Sequence, residues 1–124
     1  MPVTLVAIFV AGGLGACLRF VVSRWADAAI GATLPQAGTL VVNLVGSLAM
    51  GLLGGLVPLG TLRVAVLTGL LGGFTTYSAF ALLTVDLGAE GRWGAAAFQV
   101  VAHLVGGCLC LVLGVALARL LRGE

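Results

Sequence analysis

Residues 72–80, which read GGFTTYSAF, place two glycines, three hydroxyl side chains and three aromatic rings inside an uncharged apolar stretch. A segment that only anchors a protein in lipid does not need this chemistry, because each buried hydroxyl must find a hydrogen-bond partner. Paired glycines followed by two threonines favour a break in a helix, with backbone carbonyls turned inward. The run therefore predicts a functional interruption of a membrane helix.

A second polar feature lies upstream, where Thr39, Asn43 and Ser47 are spaced four residues apart in an otherwise apolar segment. On a helix this spacing stacks the side chains along one face. Threonine and serine in membrane helices often bond only to their own backbone, and that interpretation stays open for both hydroxyls. Asn43 is different, since an amide at membrane depth is costly unless it pairs with a neighbouring helix or a solute.

The hydroxyl, amide and aromatic side chains of these two segments favour binding of an anion. Tyr77 and Phe80 are three residues apart and share a helical face, and the rim of an aromatic ring is electropositive. Hydroxyl and amide donors add to these rims, whereas residues 37–57, 64–85 and 93–118 contain no Asp, Glu, Lys or Arg. Proton relays and acidic cation sites thus lack candidate residues there. A small, hard anion suits such a lining best.

The elements that must position these residues are transmembrane helices. The 124-residue chain is 61% hydrophobic and 8% charged, and its mean hydropathy is +1.26. A helix needs roughly 20 apolar residues to cross the hydrocarbon core. We predict an all-α membrane protein that forms one integral membrane domain, with four spans at about residues 3–25, 36–57, 62–86 and 92–118.

The arginines give no orientation signal. Assigned to the nearer membrane end, three lie on each side: Arg19, Arg24 and Arg92 against Arg63, Arg119 and Arg122. Such balance allows insertion in both orientations, so that two antiparallel copies build one object, although so few arginines can also carry too little signal to count. Glycines spaced four apart, such as Gly51 and Gly55 or Gly69 and Gly73, predict close helix contacts and favour association with a second copy.

Three segments in order resemble one known family. Residues 12–20 (GGLGACLRF), residues 38–47 (GTLVVNLVGS) and residues 72–80 are similar to the three signatures of the CrcB/Fluc family of fluoride ion channels, and the resemblance covers nearly the whole chain. It implies four transmembrane helices with a broken third helix. It also implies an antiparallel, dual-topology homodimer in the cell (inner) membrane, with two fluoride pores and a structural sodium ion (Na⁺) at the dimer centre.

The same resemblance assigns residue roles. Asn43 matches the pore asparagine, and Tyr77 and Phe80 match two phenylalanines whose ring edges meet fluoride, with Tyr77 departing from the family pattern. Ser78 matches the serine between these rings, and Thr39 matches a threonine of the polar track. We add Ser47 from the polar stripe on the second span.

Further residues follow from the resemblance and from position. Backbone carbonyls of Gly72 and Thr75 are expected to hold the sodium ion, and Arg19 is expected either to snorkel to the interface or to shape the pore vestibule. His103, the sole histidine, is expected to be a helix-packing hydrogen-bond partner rather than a pH sensor. No pore residue is assigned in the fourth span.

The expected function is passive, fluoride-selective export from the cytoplasm, giving resistance to fluoride toxicity. One alternative is a dual-topology small multidrug exporter, which would need a membrane-embedded acidic residue that the long spans lack. An accessory membrane protein is the other, but it leaves Asn43 and the hydroxyl run without a role. No enzyme activity and no nucleic-acid partner are expected, since one histidine and four carboxylates assemble no recognisable catalytic set.

Overall fold

Four long helices form the molecule. A computed structural model describes residues 1–34 and 36–124, and within this part of the chain no β-strand occurs. The helices are α1 (Pro2–Ile30), α2 (Ala37–Leu56), α3 (Thr61–Ala89) and α4 (Trp93–Arg122). Each is long and apolar enough to cross a membrane, which confirms the predicted number of spans.

Helix α3 is interrupted near its middle. Its first half, α3a, covers residues 61–74 and contains a π-helical segment at Ala65–Leu71, while its second half, α3b, is Tyr77–Ala89. Between them Thr75 and Thr76 are extended, with ψ angles of 158° and 113°. The interruption therefore falls in the predicted run, one residue after the two glycines.

Helix α4 is continuous, but it contains a second π-helical segment at Ala102–Gly106. Its remaining parts, Trp93–Val101 and Gly107–Arg122, are α-helical. An inserted π turn rotates the side chains that follow it relative to those before it, and such turns are frequent at functional sites. The segment contains His103.

Large apolar side chains cover the outside of the bundle. Phe9 is 83% exposed, Val85 is 68% exposed and Leu120 is 71% exposed, whereas the buried hydrophobic cluster is small and comprises Leu83, Leu87 and Ala96. A protein in water buries such surface, so this exterior is suited to lipid or to another protein copy. Asn43, Ser47, Thr75 and Thr76 are partly buried, whereas Tyr77 and Ser78 are exposed on the single chain.

Glycines allow two pairs of helices to approach closely. A Cβ atom at Gly73 of α3a would overlap the carbonyl of Gly12 in α1, and one at Gly51 of α2 would overlap the carbonyl of Leu111 in α4. Gly55 likewise faces Ala118 of α4. The close contacts predicted from four-residue spacing are therefore present, but these glycines meet helices of the same chain rather than a second copy.

Charged side chains bond both ends of α2. Asp27 Oδ1 accepts a hydrogen bond of 2.8 Å from the amide of Gly38 in the first turn. At the other end Arg63 donates to the carbonyls of Gly54 and Val57 at 2.5 and 2.8 Å, and Arg122 donates to that of Gly55 at 2.9 Å. A carboxylate at the N-terminus and cations at the C-terminus both complement the helix dipole. These contacts hold α2, and with it Asn43, in a defined position.

The glycine contacts predict unequal effects of one substitution at two places on α2. Gly51→Val should lower the free energy of unfolding by about 1–3 kcal/mol, because the new side chain meets the backbone of α4. Gly54→Val is the matched control, since a Cβ atom there meets nothing within 4 Å. Thermal unfolding of the purified protein in detergent measures both, and equal melting temperatures would contradict the packing described here.

Candidate functional site

The break in α3 is stabilised from within by Thr76. Its hydroxyl oxygen accepts a hydrogen bond of 3.2 Å from the amide of Ala79, so the side chain caps the N-terminus of α3b. Threonine is a favoured residue at such caps because it satisfies an amide that has no helical partner. The interruption is thus built into the sequence on its C-terminal side.

Asn43 of α2 holds the break from outside. Its Oδ1 accepts from the amide of Thr76 at 2.8 Å, and its Nδ2 donates to the carbonyl of Thr76 at 2.9 Å. Both polar groups of one extended residue are satisfied by one side-chain amide, which is what a buried break requires. An amide nitrogen carries two hydrogens, so Asn43 keeps one further donor for another partner.

These bonds change the partners of two carbonyls in α3a. In a continuous helix the amide of Thr76 would bond to the carbonyl of Gly72, and that of Ala79 would bond to the carbonyl of Thr75. Here the Thr76 amide donates to Asn43 and the Ala79 amide donates to the Thr76 hydroxyl. The break therefore releases the two carbonyls that were expected to hold a sodium ion.

A cavity of about 330 Å³ opens beside the break, and we call it the aromatic cavity. It brings together four of the predicted pore residues, Asn43, Ser47, Tyr77 and Phe80. The other lining residues are Gly46, Met50, Thr75, Thr76, His103, Leu104 and Leu111. The lining thus contains an amide, three hydroxyls from serine and threonine, a phenol, an imidazole and one apolar ring, and none of these residues is acidic.

The rings in this cavity are arranged around Phe80, which is 6% exposed. Tyr77 meets it edge to face, with ring centroids 5.5 Å apart and an interplanar angle of 72°. His103 stacks against it, with centroids 4.3 Å apart and an angle of 24°. Tyr77 itself is 75% exposed on the single chain. Stacking occupies a face of Phe80, and faces are the electronegative part of an aromatic ring.

A second cavity, of about 380 Å³, lies on another side of the break, and we call it the arginine cavity. It contains the remaining predicted side chains, Arg19, Thr39 and Ser78, together with Ser23. Arg19 Nη1 donates to the carbonyl of Thr75 at 3.4 Å, so the arginine is turned toward the break. It is the one charged residue in the lining of this cavity.

Thr76 borders both cavities. The predicted polar stripe on α2 is consequently divided, because Thr39 lines the arginine cavity whereas Asn43 and Ser47 line the aromatic cavity. The residue that separates the two spaces is the same one that Asn43 binds. A small solute passing between the cavities would pass Thr76.

Some of the hydroxyls bond to their own helix, as the sequence left open. Ser47 donates to the carbonyl of Asn43 at 2.8 Å, and Thr75 donates to that of Leu71 at 3.0 Å. In this arrangement each hydroxyl offers the cavity its oxygen rather than its hydrogen. The donors left for an anion in the aromatic cavity include the second N–H of Asn43, the phenol of Tyr77 and the hydroxyl of Thr76, which shares one hydrogen bond with Ser78.

The sequence assigned no pore residue to α4, yet His103 lines the aromatic cavity. Its Nδ1 lies 2.9 Å from the carbonyl oxygen of Gln99, so its hydrogen bond is within its own helix rather than to a neighbouring one. The available signal was the four-residue spacing of Gln99 and His103 in an uncharged span, which is the same spacing that marked the stripe on α2. Gln99 is 2% exposed.

Comparison with known proteins gives consistent results over nearly the whole chain. Residues 6–115 match the family described as CrcB-like protein, Camphor Resistance (CrcB). A protein from Syntrophotalea carbinolica named fluoride-specific ion channel FluC is 43% identical, covering 96% of this chain and 98% of its own length. Proteins of the same name from Chloroflexus aurantiacus and Opitutus terrae are 36% and 45% identical, over 96% and 85% of this chain and 98% and 82% of their own. With its four membrane-capable helices, the chain is therefore a multi-pass membrane protein that belongs to the CrcB family.

Proposed function

We propose that this protein is a fluoride-selective ion channel that lets fluoride leave the cytoplasm passively and so confers resistance to fluoride. The observation that carries the proposal is the pair of cavities that meet at Thr76, lined by neutral donors, ring rims and a single arginine. The relatives named fluoride-specific ion channels support the choice of ion. The location that this function requires is the membrane that bounds the cytoplasm, which in the named bacterial relatives is the cell (inner) membrane.

The lining explains how an anion could be accommodated without a fixed partner charge. Moving a bare ion into a low-dielectric interior costs tens of kcal/mol unless protein groups replace its water. In the aromatic cavity Asn43 offers an N–H, Tyr77 offers a hydroxyl and Phe80 offers a ring rim. In the arginine cavity Arg19, Ser78 and Thr39 draw an anion toward the break. No acidic residue lines either cavity, so the linings contain no carboxylate that could attract a cation or carry a proton.

We propose further that two copies assemble as an antiparallel, dual-topology homodimer in lipid, which yields two pathways. The equal division of arginines between the two membrane ends supports this, because it removes the bias toward one orientation. The largely apolar exterior and the exposure of Tyr77 leave room for a partner surface.

A structural sodium ion at the dimer centre fits the released carbonyls. The Gly72 carbonyl has lost its helical amide partner to Asn43, and the Thr75 carbonyl, which receives only a long bond of 3.4 Å from Arg19, keeps a free lone pair. Hard cations take several oxygen ligands, and two from each of two chains would supply four. Bound there, the cation would fix the two breaks relative to each other.

Ion selectivity is the direct test of the function. Liposomes that contain the purified protein and are loaded with both halides should release fluoride much faster than chloride, because few rigid donors suit the smaller ion. A fluoride electrode and a chloride electrode read the two rates side by side. Equal rates, or no fluoride release, would remove the proposed selectivity.

A matched pair of variants locates this selectivity. Phe80→Ile removes the ring rim from the aromatic cavity and should slow fluoride release by roughly tenfold or more. A tenfold change corresponds to about 1.4 kcal/mol in the free energy of fluoride binding or in the barrier to its passage. Phe98→Ile makes the same change on the outer surface, where Phe98 is 50% exposed and lines neither cavity, and should leave release unaltered. A folded Phe80→Ile protein with normal flux would argue against the ring contact.

Assembly is tested by labelling a cysteine introduced at Glu124 in a variant whose three native cysteines are replaced. Dual topology predicts that a membrane-impermeant reagent added outside intact cells labels about half of the copies, the share that mixed insertion gives.

Purified protein is expected to lose dimer, measured by light scattering, when a large organic cation replaces sodium. Complete labelling or complete protection would show a single orientation, and a dimer indifferent to sodium would remove the ion from its proposed role.

A further inference from the structure

His103 lies in an unusual place for a histidine that only packs helices. It belongs to the π-helical segment Ala102–Gly106, lines the aromatic cavity, and stacks on Phe80 with centroids 4.3 Å apart. Its Nε2 atom is buried and has no hydrogen-bond partner in the part of the chain that the structure describes. A buried ring nitrogen without a partner is costly, so it calls for a ligand or a functional role.

The hydrogen bond at Nδ1 fixes the state of the ring. Nδ1 lies 2.9 Å from the carbonyl oxygen of Gln99, and a carbonyl only accepts hydrogen bonds, so Nδ1 must carry a hydrogen. In a neutral imidazole the other nitrogen then has none. The buried Nε2 consequently carries a bare lone pair, which would repel an anion brought against it. Only protonation turns Nε2 into a donor.

The groups around His103 leave its positive charge unneutralised when the ring is protonated. The residues that line the aromatic cavity together with His103 are Asn43 and Ser47 from α2 and Thr75, Thr76, Tyr77 and Phe80 from α3, and of these only Tyr77 has an ionisable side chain. From the helix of His103 itself the neighbours are Gln99, Leu104 and Leu111, which are uncharged. Arg19 lines the other cavity. Among these described residues no carboxylate is available as a counter-ion, while the face of Phe80 attracts a cationic ring.

We propose that His103 is an anion-binding residue of the aromatic cavity, whose Nε2 gains a hydrogen on protonation and donates it in a hydrogen bond to fluoride, so that fluoride transport increases in acid. This deepens the proposed channel function and rests on it. The proton comes from the aqueous phase. Fluoride binding and protonation of His103 assist each other, because the positive imidazolium ring and the negative fluoride ion attract each other. The rate of fluoride export is therefore highest in acid, where His103 is protonated and donates this hydrogen bond.

The test is fluoride release from liposomes at equal internal and external pH, compared between about pH 7.5 and about pH 5.5, the interval in which histidine side chains ordinarily change charge. Release by the unmodified chain should rise roughly tenfold toward the acid end, as expected when one charge-assisted hydrogen bond replaces none. Release from protein-free liposomes is subtracted, because hydrogen fluoride crosses lipid unaided.

His103→Gln is the decisive variant, because its amide donates at every pH. It should conduct fluoride with a flat pH profile, whereas Tyr77→Phe, which removes the other titratable group, should keep the acid-dependent rise whatever its absolute rate. A rise of equal size in the unmodified chain and in His103→Gln would overturn the proposal, as would a flat profile in the unmodified chain. Flux that is present but indifferent to pH removes only the role of His103, whereas absence of fluoride flux at both pH values removes the channel function as well.

A second measurement does not depend on transport or on the folding of a variant. Since His103 is the sole histidine, ¹⁵N-histidine labelling of protein carrying a histidine-free tag reports on this ring alone. Added sodium fluoride should shift the Nε2 resonance at about pH 5.5 and leave it unmoved at about pH 7.5. Sodium chloride serves as the control. A fluoride response that is absent at both pH values, or equal at both, would contradict the proposal.

Discussion

The paired hydrogen bonds between Asn43 and Thr76 are the interaction on which the site depends. A break in a membrane helix leaves amide and carbonyl groups that lipid cannot satisfy. Here one side chain from α2 satisfies both groups of the extended residue, at 2.8 and 2.9 Å. The asparagine therefore links two helices and at the same time keeps one N–H for the aromatic cavity.

This pairing has consequences on both sides of the break. The Thr76 amide donates to Asn43 instead of to the carbonyl of Gly72. The Ala79 amide donates to the hydroxyl of Thr76 instead of to the carbonyl of Thr75. Two carbonyls are thereby released next to a glycine-rich helix end, and Thr76 lines both cavities. Removing the pairing would be expected to lengthen the helix through the site and close both features.

Much of this architecture could be predicted from residue types and spacing. Four apolar runs predicted four helices, and paired glycines followed by threonines predicted the interruption of α3. The partner of each residue was harder to predict, because helical periodicity shows which side chains share a face but not which helix that face meets. The glycines spaced four apart were associated with a second copy, and the structure packs them against helices of the same chain.

The same limit applies to the surroundings of the polar residues. The four-residue spacing of Thr39, Asn43 and Ser47 is real, but the extended backbone at Thr76 divides their surroundings into two cavities. His103 was expected to be a helix-packing hydrogen-bond partner; its ring stacks against Phe80 of α3, while its hydrogen bond is to Gln99 in its own helix. No residue pattern in the sequence predicts either the division into two cavities or the π turn.

Fluoride release by Asn43→Asp tests the central role of this amide most directly. The substitution keeps an oxygen to accept from the Thr76 amide but removes the donor to the Thr76 carbonyl and the N–H left for the cavity, and it adds a negative charge. We expect a folded protein whose fluoride release falls on the order of 100-fold, as loss of a bond to a charged group implies. Release equal to that of the unmodified chain would contradict it.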